Sequence, residues 1–322
     1  MNKSTKIAKE YDAIIIFETN FQKSIVDHLI KLYLFNKNVL VIDSRNHSIN
    51  MIVESDIIQL PINLGGLRWI IKSLFTVRKF PLLRTQELIG THFTGIHCRF
   101  FESVIEYKNL SLIDDGIGTP ALLRSNSFST RSFAWFSRYI LANVVMLLMY
   151  RRHLLTLKQM KAQISKYYTV YDFINQSYTE DLTRIAIVHL NFLRNYNHVK
   201  IIHESAGYVS NNMNSDIELC LQYVKKKHKR LTYYPHPGEI VKDEIKAIVD
   251  DICRPNSTIE NFFLENGAPE YLYGDMSSAI LNLKLGNMES QMIVFANDKH
   301  DDVYNKIFEE NGIANINVNS LK

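Results

Sequence analysis

Two adjacent carboxylates, Asp114 and Asp115, close the apolar run of LSLIDDGIGTP (110–120), and Gly116 follows at once. Acids in that position could ligate a metal, cap a helix or accept a proton from an attacking group. Successive side chains of a strand point to opposite faces, so both acids converge only where the chain has already turned. A metal would need further ligands nearby, and the local sequence offers none. On spacing alone the plainest reading is a strand-end turn, with Asp favoured for local hydrogen bonds and Gly for a permissive backbone.

A second stretch is YYPHPGE (233–239). His236 stands between Pro235 and Pro237, whose rings stiffen the backbone on both sides and so aim the imidazole. A protonated imidazole neutralises a phosphate or donates a proton to it. Taken alone, the stretch reads as a surface turn. A third is YGDMSSAI (273–280), where Gly274 precedes Ser277 and Ser278 at an expected helix start. Backbone N–H groups and hydroxyls there suit an anion, and ordinary capping by either serine explains them as well.

The elements that must position these residues alternate. DAIIIFETN (12–20) reads as a buried strand, FQKSIVDHLIKLYLF as a helix and KNVLVIDSR (37–45) as a strand. SVIEY (103–107) and LSLIDDG (110–116) continue the strands, and Phe133 to Lys166 reads as mostly helical. HVKIIHES (198–205) opens a second unit as a strand. SDIELCLQYVKKKHKR (215–230) follows as a helix N-capped by Ser215, its basic end complementing the helix dipole. LTYYPHPGE is a strand running into a turn, DEIKAIVDDIC a helix, PEYLYGDMSSAILNLKLG a strand-to-helix passage and QMIVFAND a late strand. DDVYNKIFEENGI is a helix closed by Gly312, and ANINVNS a final strand. Two consecutive α/β units result, with a boundary near 190–197. All three stretches then fall beyond carboxyl ends of strands, where such sheets bind ligands.

The bulk properties agree. The 322 residues suit two domains of ordinary size. A net charge of +4 is mild and gives no reason to expect a nucleic-acid partner. Cys98, Cys220 and Cys253 form no CxxC or Cys/His cluster, which supports neither a disulfide framework nor zinc and suits a reducing compartment. The apolar core AIIIF is too short for a signal peptide and no small-residue cleavage site follows it.

One segment stands apart. From Gly116 to Tyr171 there is no Asp or Glu, while Arg124, Arg131, Arg138, Arg151, Arg152, Lys158, Lys161 and Lys166 all fall within it. Inside lies FAWFSRYILANVVMLLMY (133–150), interrupted by Arg138 and flanked by basic residues. A buried or dimer-interface helix pair and an interfacial helix on anionic lipid are both open readings.

Taken in order, the three motifs are specific. The chain resembles the bacterial sialyltransferases, most closely glycosyltransferase family 52, the group that modifies lipooligosaccharide and capsule. IDDGIGT is similar to that family's FDDGTGN-type stretch and YYPHPGE to its APHPR-type stretch. Ser277-Ser278 matches its small serine motif, and VYNKIFEENGIANINVN its closing helix, turn and strand. The resemblance implies a GT-B architecture, two Rossmann-like domains facing a central cleft. Residues 1–193 would form the acceptor side, with a basic apolar helical insertion at about 121–170, and 194–322 the nucleotide-sugar side. It implies an inverting transfer from CMP-sialic acid to a galactose-terminated surface glycan, without a metal or other cofactor, in the bacterial cytoplasm or at the inner face of its membrane. His236, beside Pro237, would receive the departing phosphate, helped by Ser277, Ser278 and the backbone at Gly274. The base would be Asp114 or Asp115, with Gly116 shaping their turn, or Asp216 at the start of the helix before the His-Pro strand. Glu204, at a strand end, is a further candidate. The loop ESAGYVSNNMN ahead of Asp216 is longer than the resemblance expects. A related transferase using another nucleotide sugar, such as a glucosyltransferase, and an inactive membrane-docking relative are the alternatives. Peripheral membrane contact and a homodimer are left open.

Overall fold

The computed structural model describes residues 9–43, 56–59, 83–90, 101–114, 162–172, 185–211, 216–296 and 302–322, with isolated positions between 116 and 159. The chain divides into two units, Met1–Phe192 and Leu193–Lys322.

The first unit runs β1 (Lys9–Phe17), α1 (Asn20–Tyr33), β2 (Val39–Asp43), β3 (Asp56–Gln59), β4 (Leu83–Gly90), β5 (Glu106–Ile113), β6 (Ile164–Thr169) and β7 (Ala186–His189). Its sheet has the order β3-β2-β1-β4-β5-β6-β7, and every pairing is parallel. Ala13 to Phe17 are fully buried, as the central strand of a parallel sheet covered on both faces must be. α1 starts with a capping box. The Thr19 hydroxyl accepts from the Gln22 N–H at 3.2 Å, and the Gln22 side chain accepts from the Thr19 N–H at 3.0 Å. Its buried face is Ile25, Val26, Leu29 and Ile30.

The second unit runs β8 (Ile201–Val209), α2 (Ile217–Lys227), β9 (Arg230–Tyr234), α3 (Asp243–Ile248), β10 (Asp251–Ile252), α4 (Ile259–Asn266), β11 (Ala268–Asp275), α5 (Ser278–Leu285), β12 (Gln291–Ala296), α6 (Asp302–Glu310) and β13 (Ala314–Asn317). A 3-10 turn, Val318–Leu321, ends the chain. The sheet order is β10-β9-β8-β11-β12-β13, again all parallel. One face carries an aromatic cluster. Tyr208 and Tyr273 stack on Phe295 at 5.9 and 6.0 Å, under Cys220, Leu221 and Val224 of α2. Both sheets reverse their winding direction once, between β1 and β4 in the first unit and between β8 and β11 in the second. The crevice outside the carboxyl ends at such a point is where doubly wound sheets bind ligands.

Several expectations change. Residues 101–104 are helical, with the Ile105 N–H bonded to the Phe101 carbonyl, so SVIEY is not a strand and β5 begins at Glu106. Ile164 to Lys166 belong to β6 and not to a helix. Within the expected loop, Ser205 to Val209 are the second half of β8, which pairs with β9 and β11 on its two sides. α2 begins at Ile217 with Asp216, not Ser215, at its N-cap. The end of DEIKAIVDDIC is the edge strand β10, tied to β9 by the Cys253 N–H on the Tyr233 carbonyl. Gly312 does close α6, at φ +71°. Most of 133–150 lies outside the described residues. Within it Ile140, Val144 and Leu147 are helical and exposed. Among the described residues no helix is long and apolar enough to cross a membrane.

Candidate functional site

The carboxyl rim of the second sheet gathers most of the chemistry-bearing residues. β9 leads into Pro235-His236-Pro237, β11 into Met276-Ser277-Ser278, and β8 into Ser210-Asn211 and then Asp216. These strands are neighbours in the order β9-β8-β11.

The turn after β9 is built around Glu239. Its backbone N–H donates to the His236 carbonyl at 2.8 Å, closing the turn. Its side chain, 9% exposed, accepts from the His236 N–H at 3.1 Å and from the Tyr233 hydroxyl. Burial, with this carboxylate beside it, holds the Tyr233 phenol far above its usual range, so Tyr233 stays a donor at every working pH. His236 itself is exposed. Its Nδ1 accepts from the Gly238 N–H at 3.3 Å. A ring nitrogen that accepts carries no proton, so the neutral imidazole has its proton on Nε2, the atom free to meet a ligand.

On the other side, Asp275 fastens the two switch strands together. Buried to 1%, it accepts from the Tyr208 hydroxyl of β8 at 2.7 Å and from the Asn211 N–H at 2.9 Å. The Asn211 amide in turn donates to the Met276 carbonyl at 3.3 Å. Both walls of the crevice are thereby held in register. Ser277 is the N-cap of α5 and makes no side-chain cap bond. Its hydroxyl is buried and has no hydrogen-bond partner among the described residues. Such an orphan costs about 1–3 kcal/mol unless something satisfies it, and it sits where a helix N-terminus already attracts anions. Gly274 lies inside β11, where a Cβ would come within 2.4 Å of the Val209 carbonyl oxygen, so packing alone requires glycine there. Ser278 is the first residue of α5.

The other candidates separate. Asp216 is half-buried and pairs with Lys322 at 3.3 Å. Glu204 is not at the carboxyl end of its strand. It sits at an irregularity in the first half of β8, exposed, at φ +55°, with its N–H donating to Glu270 at 2.8 Å. Asp114, in the first unit, is fully buried. It accepts from the Tyr167 hydroxyl and from the Val170 N–H at 2.6 Å. Asp115 lies outside the described residues. Gly116 is buried at φ +96°, a left-handed conformation that favours glycine, as the expected turn requires. Among the described residues no group of three or more His, Cys, Asp or Glu is placed to hold a metal ion.

Sequence reasoning missed Glu239, Tyr233, Asp275 and Tyr208. Three of the four, Tyr233, Glu239 and Asp275, were inside quoted motifs. The available signal was a carboxylate within each motif at a strand or turn end, with a tyrosine on the same or a paired strand.

Two doubly wound parallel sheets in one chain, the second with an anion-suited switch crevice, define a tandem α/β fold. No family model and no curated protein sequence matches the chain. Among solved structures, an α/β-galactoside α-2,3-sialyltransferase from the luminous marine bacterium Photobacterium phosphoreum aligns with a TM-score of 0.52 at 13% identity, over 98% of this chain and 100% of that one. The wall teichoic acid polymerase TagF aligns at 0.43 and 9% identity, over 88% of this chain and 69% of that one. The first alignment establishes a shared fold along essentially the whole length.

Proposed function

We propose that the protein is a glycosyltransferase of GT-B type, and within that class an inverting sialyltransferase using CMP-sialic acid. One observation carries the reading. On a single carboxyl rim, a turn-locked imidazole and a serine hydroxyl with no partner among the described residues, at a helix N-terminus, flank a topological switch point. Those are groups that receive a departing phosphate. The fold likeness to a sialyltransferase and the motif order support it.

In this reading the second unit, from about residue 194, holds the donor and the first binds the acceptor. The bond from the anomeric carbon to the phosphate oxygen breaks as the acceptor hydroxyl attacks the opposite face. Positive charge grows on the sugar and negative charge on the phosphate. His236 donates from Nε2 to that phosphate, while Ser277, Ser278 and the first N–H groups of α5 hold its oxygens. The acceptor proton passes to a carboxylate on the far side of the sugar. Asp216 and Asp115 are the remaining candidates. Asp114 is assigned instead to bracing β5 and β6, because its oxygens already accept two internal bonds. Glu204 is set aside for its place away from the rim. The acceptor is a galactose-terminated glycan or glycolipid, met in the cytoplasm or at the inner membrane face.

The test is CMP release from CMP-sialic acid with galactosides, beside direct CMP binding. Release that depends on acceptor supports the reading. Turnover of UDP-glucose alone would move the protein to another donor, and no CMP binding with no release would remove the enzyme reading.

A further inference from the structure

The His-Pro turn also holds an arginine. Arg254 follows the edge strand β10 and is exposed, yet its Nη2 donates to the Glu239 carbonyl at 2.8 Å. This ties the guanidinium to the turn that aims His236. Of the other described arginines, Arg84 pairs with Glu106 at 2.9 Å and Arg230 with Asp251 at 2.9 Å, while Arg194 donates to the Asn261 side chain at 2.9 Å. Arg254 has no carboxylate partner among the described residues. The nearest acid along its bonds, Glu239, spends its carboxylate on the His236 N–H and the Tyr233 hydroxyl. A positive charge fixed beside a catalytic turn, with most of its N–H donors unspent, is arranged for an anion that arrives with the substrate.

The phosphate already has His236, Ser277 and the start of α5. CMP-sialic acid carries a second anion, the carboxylate on its anomeric carbon, one bond from the oxygen that departs. The geometry points to Arg254 as the residue that holds this sugar carboxylate and so selects an acidic sugar over a neutral hexose. The inference rests on the donor proposed above. A guanidinium fork matches a carboxylate with two parallel N–H···O bonds, and lysine cannot reproduce that geometry. Pinned on the Glu239 carbonyl, the fork loses little side-chain freedom when the donor binds.

Calorimetric titration of wild type, Arg254→Gln and Arg254→Lys with two ligands tests it. One ligand is CMP and the other is the unreactive 3-fluoro analogue of CMP-sialic acid. Arg254→Gln is expected to weaken the analogue about tenfold or more, as loss of a charged hydrogen bond implies, and CMP by less than about twofold. Arg254→Lys is expected to fall between. Unchanged CMP affinity also certifies that each variant is folded. Equal loss for both ligands would place Arg254 on the nucleotide and overturn the inference, as would no loss for either. Failure of the donor reading appears separately, in the wild type: CMP bound without the analogue rejects the acidic sugar, and neither bound rejects the nucleotide.

Discussion

Asp114 and Asp275 are the same device in two places. Each is a buried carboxylate at the carboxyl end of a parallel strand, β5 or β11. Each accepts from a tyrosine hydroxyl on the neighbouring strand, Tyr167 or Tyr208. Each also accepts from a backbone N–H at the same offset beyond that tyrosine, Val170 or Asn211. The difference lies in which strands are fastened. Asp275 joins β11 to β8, the pair between which the second sheet reverses. Asp114 joins β5 to β6, away from the first sheet's reversal between β1 and β4. Beyond Asp275 the chain turns straight into α5 and presents an unsatisfied hydroxyl. Beyond Asp114 it enters a left-handed glycine. A buried acid at a strand end is therefore no sign of catalysis by itself. What it fastens decides whether it supports a site or only a sheet.

The largest effect should come from removing the imidazole proposed to meet the departing phosphate. His236→Ala is expected to lower kcat about 10²–10⁴-fold, the range for a lost general acid, and to weaken CMP less than about tenfold. Wild-type turnover would detach the His-Pro turn from the chemistry.

The comparison itself is tested by matched substitutions. Asp114→Asn and Asp275→Asn each replace one of two accepting oxygens with an N–H₂ that faces a donor, so each should cost about 2–4 kcal/mol of stability, read as a lower denaturation midpoint. At temperatures where both variants are folded, only Asp275→Asn should weaken CMP, by about tenfold. If Asp114→Asn weakens CMP equally, the two braces are not divided in function.

How much of this was legible follows from which interactions are local. β1, α1 and β2 announce themselves through unbroken apolar runs, helical spacing and the Thr19–Gln22 box. β4 and β6 do not. LRTQELIG and ISKYYT carry a polar row in which Glu87 accepts from Ser111 at 2.6 Å and from Tyr168 at 3.0 Å. Their residues belong in a sheet only once the cross-strand partners are known. β8 was cut short at Ser205 because an exposed His203-Glu204 pair looks like a strand end, whereas the irregularity there keeps Ala206 to Val209 in the ladder. The site divides the same way. The placing of His236, Pro237 and the serine pair just beyond strand ends could be read from residue type and neighbours. Glu239 and Asp275 acquire meaning only through Tyr233 and Tyr208, and the separation of Asp114 from the base candidates only through Tyr167.

Ser277→Ala sharpens the ligand side of the comparison with a smaller effect. Its hydroxyl has no partner among the described residues, so stability should hold or rise slightly. CMP should weaken about three- to tenfold, the value of one ordinary hydrogen bond. A loss of stability without a loss of affinity would make Ser277 an ordinary cap.

The smallest expected effect concerns the edges of the two sheets. Each has a lysine–aspartate link, Lys9 with Asp56 in the first unit and Lys225 with Asp250 at 2.6 Å in the second. The hydrogen bond from Lys9 holds Asp56 below the usual carboxylate range, and that from Lys225, with the Leu231 N–H, does the same for Asp250. A depressed folded pKa contributes stability above the unfolded value near 4, and that contribution is lost as pH falls through the folded value. Both links are solvent-exposed, so Asp56→Asn and Asp250→Asn should each cost less than about 1 kcal/mol at pH 7 in low salt. The gap from wild type should close as pH drops below about 4. Asp250 also accepts from the Leu231 N–H at 2.7 Å, a bond that salt does not screen as it does the ion pair. Asp56 likewise accepts from the Tyr11 hydroxyl at 3.0 Å, so high salt should leave part of both effects, and complete erasure of either would mean that its second bond adds nothing.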